Sequence, residues 1–106
     1  MDKITLHVTN YVYGLFLDGK KTIEYRPLNA FYFKRFDRFR LMFEQNKTYC
    51  LELVLYRAYS IEKLSLIVFD LKIVPWSMIS ERNQKLLCSV YGDSVKNSYF
   101  YALYTL

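Results

Sequence analysis

The segment from Gly19 to Arg26 places three side chains capable of chemistry within six residues: Lys21, Glu24 and Arg26. Glu24 and Arg26 are two residues apart, so on a strand they project from one face with Cα atoms roughly 6.5–7 Å apart. Lys21 precedes Glu24 by three residues, so it joins them only if the chain bends after Gly19. The alternative is a surface ion pair without function, worth about 0–1 kcal/mol.

These three residue types suit a polar ligand that offers both donors and acceptors. Glu24 can accept a hydrogen bond from the amine of a base or act as a general base. Arg26 can bind a phosphate or carboxylate, or stack on a base. Lys21 can contact phosphate, or act as a base or nucleophile if burial lowers its pKa. Their spacing alone leaves a ligand site and a surface ion pair both open; in an enzyme, Lys21 and Glu24 would be the catalytic residues.

Residues 20–40 carry the net charge of the chain. They hold seven Lys or Arg and two Asp or Glu, a net charge of +5, and the whole chain of 106 residues is also +5. Lys20 belongs to this segment, and Lys34, Arg35 and Arg38 share one face of a predicted helix. Lys34 and Arg38 form an i,i+4 pair of like charges, which a nearby anion would stabilise. This face could contact a phosphate backbone or could simply be solvated.

The composition excludes several kinds of site. One histidine and two cysteines cannot supply a multi-histidine metal site, a four-ligand zinc site or a disulfide scaffold. No glycine-rich phosphate loop is present. The sequence has no signal-peptide pattern and no apolar stretch approaching 18 residues. We expect no metal, no cofactor, no membrane association and a cytoplasmic location.

Hydrophobic periodicity predicts eight elements within a single domain, residues 1–106, in the order β-α-β-α-β-β-α-β. Helix signals include Gly19 after the first helix and Ser77 or Ser80 before the third. Short strands separated by helices favour an α+β fold, a small mixed β-barrel of about five strands with three helices. The predicted strands are 4–8, 22–26, 48–58, 64–73 and 99–104; the helices are 10–18, 29–44 and a third ending at 91–92; a turn lies at 46–47.

The run Gly19-Lys20-Lys21-Thr22-Ile23-Glu24-Tyr25-Arg26 fits the pattern Gly-x-Lys-x-x-Glu-x-Arg and resembles an ASCH domain of the PUA-like superfamily. The aromatic and basic run 29–36, the turn Arg57-Ala58-Tyr59, which lacks the Asn-Gly of one ASCH branch, and the strand 99–103 extend this resemblance. It implies a PUA-like barrel whose cleft, lined by Lys21, Glu24 and Arg26, holds RNA or a modified nucleoside. Further candidate contacts are Tyr32, Arg57 and Tyr59.

Two other functions remain open. Small bacterial ASCH amidohydrolases deacetylate acetylcytidine with a lysine, a threonine and a distal glutamate. Lys21 matches the lysine, but Glu24 occupies the threonine position. Other ASCH relatives are ribonucleases, and in such an enzyme Lys21, Glu24 and Arg26 could provide an electrostatic clamp and an acid–base group. The second of these functions is that of a phage- or mobile-element-type protein, which would bind a host nucleic-acid machine as its partner and inhibit it. We expect a monomer or weak dimer. The candidates for the distal glutamate are Glu52, Glu62 and Glu81.

Overall fold

The computed structural model describes residues 2–45 and 51–106. These residues form a small α+β fold in which five strands and three α-helices follow one another in the predicted order. Two short 3-10 segments, Trp76–Met78 and Asp93–Asn97, flank the third helix. The elements are β1 (Asp2–Val8), α1 (Asn10–Leu17), β2 (Ile23–Pro27), α2 (Ala30–Glu44), β3 (Leu51–Arg57), β4 (Lys63–Pro75), α3 (Glu81–Tyr91) and β5 (Tyr99–Thr105).

The strands form one curled, mixed sheet with the order β1-β3-β4-β5-β2, which makes a half-barrel. β1 pairs with β3 in parallel, and the other neighbouring strands are antiparallel. A register shift between Val68 and Asp70 interrupts the β4–β5 ladder. β1 and β2 are the edges of the sheet, so the site carried by β2 lies beside the open side of the half-barrel.

β5 separates two apolar cores because its side chains alternate between the faces of the sheet. Tyr101 and Leu103 pack with α1 and α2 in the first core. Phe100 and Ala102 pack with α3 in the second. All four are fully buried. The helices therefore cover both faces of the sheet, and β2 lies between α2 and α3.

Each helix begins at a polar cap. Thr9 Oγ1 accepts from Val12 N at 3.2 Å, Asn29 Oδ1 from Tyr32 N at 3.0 Å, and Ser80 Oγ from Asn83 N at 3.4 Å. Such caps satisfy amide groups that have no partner within the helix. Ser80, rather than Ser77, is thus the cap of α3.

The predicted boundaries differ from the observed ones at several ends. β2 begins and ends one residue later than predicted, and β4 extends further in both directions. α2 begins after its cap, Asn29. The predicted turn 46–47 and the start of the predicted third strand, at 48–50, lie outside the described residues. Within 2–45 and 51–106, no helix is long and apolar enough to cross a membrane.

Candidate functional site

The spacing of Glu24 and Arg26 on β2 brings the two side chains together, as predicted. Glu24 Oε2 lies 3.8 Å from Arg26 Nη2, and both side chains are largely buried. Glu24 Oε1 accepts from the backbone N–H of Tyr25 at 3.0 Å. Within the described chain, Glu24 Oε2 is buried without a hydrogen-bond donor. The Glu24–Arg26 pair is therefore a buried ion pair and not a solvated surface pair.

The Arg26 guanidinium also connects the two edges of the sheet. Its Nη2 donates to the backbone oxygen of His7 on β1 at 2.9 Å, and its Nη1 donates to Tyr32 Oη at 3.1 Å. Burial opposes the positive charge of Arg26, but Glu24 and the Tyr32 hydroxyl outweigh it and raise the pKa. Arg26 thus joins β2 to β1 and α2 across the open side of the half-barrel. We call its contacts with Glu24, His7 and Tyr32 the Arg26 clasp. Its predicted contact with a ligand stays a prediction.

Lys21 is turned inward by the bend after Gly19, which has a φ of 71°. Its Nζ donates to Asn83 Oδ1 on α3 at 2.9 Å. The same atom lies 5.7 Å and 5.4 Å from the ring centroids of Phe16 and Tyr25. The connection is fixed because the backbone N–H groups of residues 20 and 21 both donate to the oxygen of residue 15, at 2.9 and 3.1 Å.

The charges around Lys21 link it to the Glu24–Arg26 pair. Burial lowers the pKa of Lys21; Glu24 opposes this effect, while Arg82 and Arg26 add to it. Lys21 lines a cavity of about 120 Å³, and Glu24 and Arg26 are not among the residues that line it. The three predicted residues therefore share one electrostatic environment, but only Lys21 opens onto this cavity.

Three residues of α3 take part in this region and were missed by sequence reasoning: Arg82, Asn83 and Tyr91. Burial raises the pKa of Tyr91; the Arg26 charge opposes this rise, and Tyr32 and Glu24 add to it. These residues are distant from the segment 19–26 in the sequence, and no local pattern relates them to it.

One face of α2 is basic and aromatic. Phe31, Lys34, Arg35 and Arg38 follow the spacing i, i+3, i+4 and i+7 and are all exposed. The guanidinium of Arg35 lies 4.7 Å from the ring centroid of Phe31. We call this set the basic face. On the opposite side of the helix, Phe36 and the neighbouring buried rings face the core, as the predicted apolar stripe requires.

The cations of the basic face keep their charge available. Arg38 lies 4.4 Å from the ring centroid of Phe39. Between residues 2 and 45 and from 51 onward, no carboxylate forms an ion pair with Lys34, Arg35 or Arg38. Asp37, the acid within this run, pairs with Arg40 at 3.0 Å.

A groove of about 420 Å³ runs between the basic face and β1. Lys3, on β1, adds a fourth cation to its lining and pairs with Glu52 at 3.6 Å. In the part of the chain that the structure describes, no Asp or Glu lines this groove. Lys3 was not predicted as a site residue, although strand alternation on β1 indicates that it is exposed.

The structure places Arg57 and Tyr59 at the β3–β4 turn. Arg57 donates to Asn10 Oδ1 at 3.2 Å and to Glu62 Oε2 at 3.0 Å, so it connects this turn to the start of α1. Tyr59 is fully exposed and has a φ of 59°. Among the described contacts, neither residue touches Lys21.

The three candidate distal glutamates each pair with a cation other than Lys21. Glu52 pairs with Lys3, Glu62 with Arg57, and Glu81 with Lys85 at 3.8 Å. In the described part of the chain, no group of three or more His, Cys, Asp or Glu residues is placed to hold a metal ion.

The chain matches no protein-family model, no curated protein and no solved structure. Its resemblance to ASCH domains stays a prediction.

Proposed function

We propose that this protein is a cytoplasmic, PUA-like RNA-binding module that holds the phosphate backbone of single-stranded RNA on the basic face of α2. The observation that carries this proposal is the groove beside β1, which is lined by four cations and, among the described residues, by no carboxylate. Lysine and arginine side chains that neutralise phosphates supply most of the sequence-independent affinity for nucleic acids.

The aromatic ring of the basic face adds a second kind of contact. Phe31 is 58% exposed and lies beside the Arg35 guanidinium. Exposed rings beside cations are the usual platform for unstacked bases in proteins that bind single strands. Arg35, which already lies against the Phe31 ring, is held in place for a phosphate contact.

Two observations at β2 support the PUA-like and ASCH-like part of the proposal. Glu24 and Arg26 form a buried ion pair whose charges act on Lys21, and in the described residues Glu24 keeps a buried acceptor atom without a donor. In this proposal Lys21 contacts the ligand, while Arg26 positions Glu24 and closes the sheet.

The test is the salt dependence of binding to a fluorescein-labelled single-stranded RNA 12-mer, measured by anisotropy. Three to four phosphate contacts predict a slope of log K against log salt of about −2 to −3. The variant Lys34→Gln/Arg35→Gln/Arg38→Gln is expected to weaken binding at least about tenfold and to bring the slope closer to zero by about 2.

A matched control removes three positive charges elsewhere. Lys63, Lys85 and Lys96 are exposed and do not line the groove. Their triple replacement by Gln should leave the affinity within about twofold. The proposal fails if wild-type protein does not bind RNA, or if the control variant loses as much affinity as the basic-face variant.

A further inference from the structure

A small cavity near the start of α3 gathers three cations from two segments of the chain. Lys20 and Lys21 come from the connection between α1 and β2, and Arg82 comes from the first turn of α3. The amide side chain of Asn83 also lines it. Across residues 2–45 and 51–106 no carboxylate is part of the lining, so the charged side chains that line the cavity are all positive.

Two carboxylates near this cavity already have cationic partners. Glu24 acts on Lys21 but forms its ion pair with Arg26. Glu81, in the first turn of α3, is exposed and lies 3.8 Å from Lys85. Lys21 is attracted by Glu24 and repelled by Arg82, and an anion in the cavity would reduce the repulsion between the two cations.

The polar groups of the cavity are held in place before any ligand arrives. Asn83 Oδ1 accepts from Lys21 Nζ, and Asn83 Nδ2 donates to Ser80 Oγ at 2.9 Å. An ammonium group has three N–H donors, so two remain on Lys21 after its bond to Asn83. A rigid cation with free donors binds an anion at a smaller entropic cost than a mobile one does.

The size of the cavity limits what can enter it. A volume of about 120 Å³ is below the roughly 300–1,000 Å³ of sites that enclose a drug-sized molecule. An anionic group fits this space, whereas a whole nucleotide would leave its base and sugar outside.

We propose that this cavity binds the phosphate group of a phosphomonoester, with Lys20, Lys21 and Arg82 as its cationic partners. The phosphate can be the end group of a free nucleotide or the 5′-phosphate of an RNA strand. This site is separate from the basic face of α2 and does not depend on RNA binding there.

The test is titration of ¹⁵N-labelled protein with inorganic phosphate and with cytidine 5′-monophosphate, followed by NMR. We expect the amide signals of residues 20–22 and 82–83 to shift. Arg82→Gln should weaken the binding of both ligands at least tenfold. Because Arg82 is exposed, this replacement leaves the fold intact. Lys63→Gln, which removes an exposed charge on β4 away from this cavity, is the matched control and should retain wild-type affinity.

RNA 12-mers with a 5′-phosphate or a 5′-hydroxyl distinguish the two sources. Tighter binding of the phosphorylated strand, lost in Arg82→Gln, identifies the RNA end as the ligand. Equal binding of the two strands, together with cytidine 5′-monophosphate binding that Arg82→Gln weakens, identifies a free nucleotide.

The proposal is overturned if the shifted amides lie on α2, if Arg82→Gln binds both ligands as wild type does, or if neither ligand binds. The basic-face triple variant should still bind inorganic phosphate here, so this site and the RNA-binding proposal can fail separately.

Discussion

Arg26 is expected to stabilise the fold more than any surface ion pair does, because its removal leaves the buried Glu24 carboxylate without its ion-pair partner. The side chain of Glu24 is only 8% exposed and that of Arg26 13% exposed. Removal of one partner from a buried pair typically costs about 3–5 kcal/mol. The bond from Arg26 to the His7 oxygen adds less, because that bond is exposed to water. We expect Arg26→Met to lower the free energy of unfolding by about 3–5 kcal/mol.

Urea denaturation of four proteins tests this expectation: the wild type, Arg26→Met, Glu24→Gln and the double variant. The double variant should be more stable than Arg26→Met alone, since replacing Glu24 removes the unpaired charge; the two effects should depart from additivity by at least about 1 kcal/mol. Arg40→Met, which removes ion pairs within α2, is the matched control and should cost about 1 kcal/mol or less. If Arg26→Met lowers the free energy of unfolding by less than about 1 kcal/mol, or if the two single effects are additive, Arg26 does not stabilise the fold through its pair with Glu24.

Two further predictions concern buried polar groups. Burial lowers the pKa of Lys21, so the positive charge of Lys21 lowers the free energy of unfolding at neutral pH. This loss of stability disappears as the pH rises from the lowered pKa of the folded state toward the ordinary lysine pKa near 10.4. In ¹³C NMR, one lysine should titrate below the others and its signal should be missing in Lys21→Arg; titration of every lysine in the ordinary range would contradict this. Tyr101 Oη is buried without a hydrogen-bond partner in the described residues, so Tyr101→Phe should raise the free energy of unfolding by up to about 1 kcal/mol in urea denaturation. Tyr32→Phe, which removes an acceptor of Arg26, should instead lower it by about 1 kcal/mol; a loss for Tyr101→Phe as large as that for Tyr32→Phe would show that the Tyr101 hydroxyl is satisfied.

Local periodicity was sufficient to predict the order of the elements. The i, i+4, i+7 spacing of Tyr32, Phe36 and Phe39 correctly predicted the buried side of α2. Likewise, a two-residue spacing on a strand was enough to predict that Glu24 and Arg26 meet. Both predictions hold because neighbours along one element are set by backbone geometry alone.

Contacts between distant elements were not predictable in the same way. Asn83 bonds to Lys21 across 62 positions, and the partner of Arg26 on β1 is a backbone oxygen, which every residue carries. The choice between Ser77 and Ser80 as the cap of α3 also depended on the 3-10 segment at Trp76–Met78, which the sequence pattern did not indicate.

The place of β5 in the sheet sets the order in which the molecule can be assembled during synthesis. Ile23 pairs with Tyr104, so the strand that carries Glu24 and Arg26 has no sheet neighbour until residues 99–105 have been made. Pairings this far apart along a chain slow folding. A ribosome-bound intermediate that ends before residue 99 would therefore expose β2, and the pairing that holds Glu24 and Arg26 in the sheet would form only after residues 99–105 had been added.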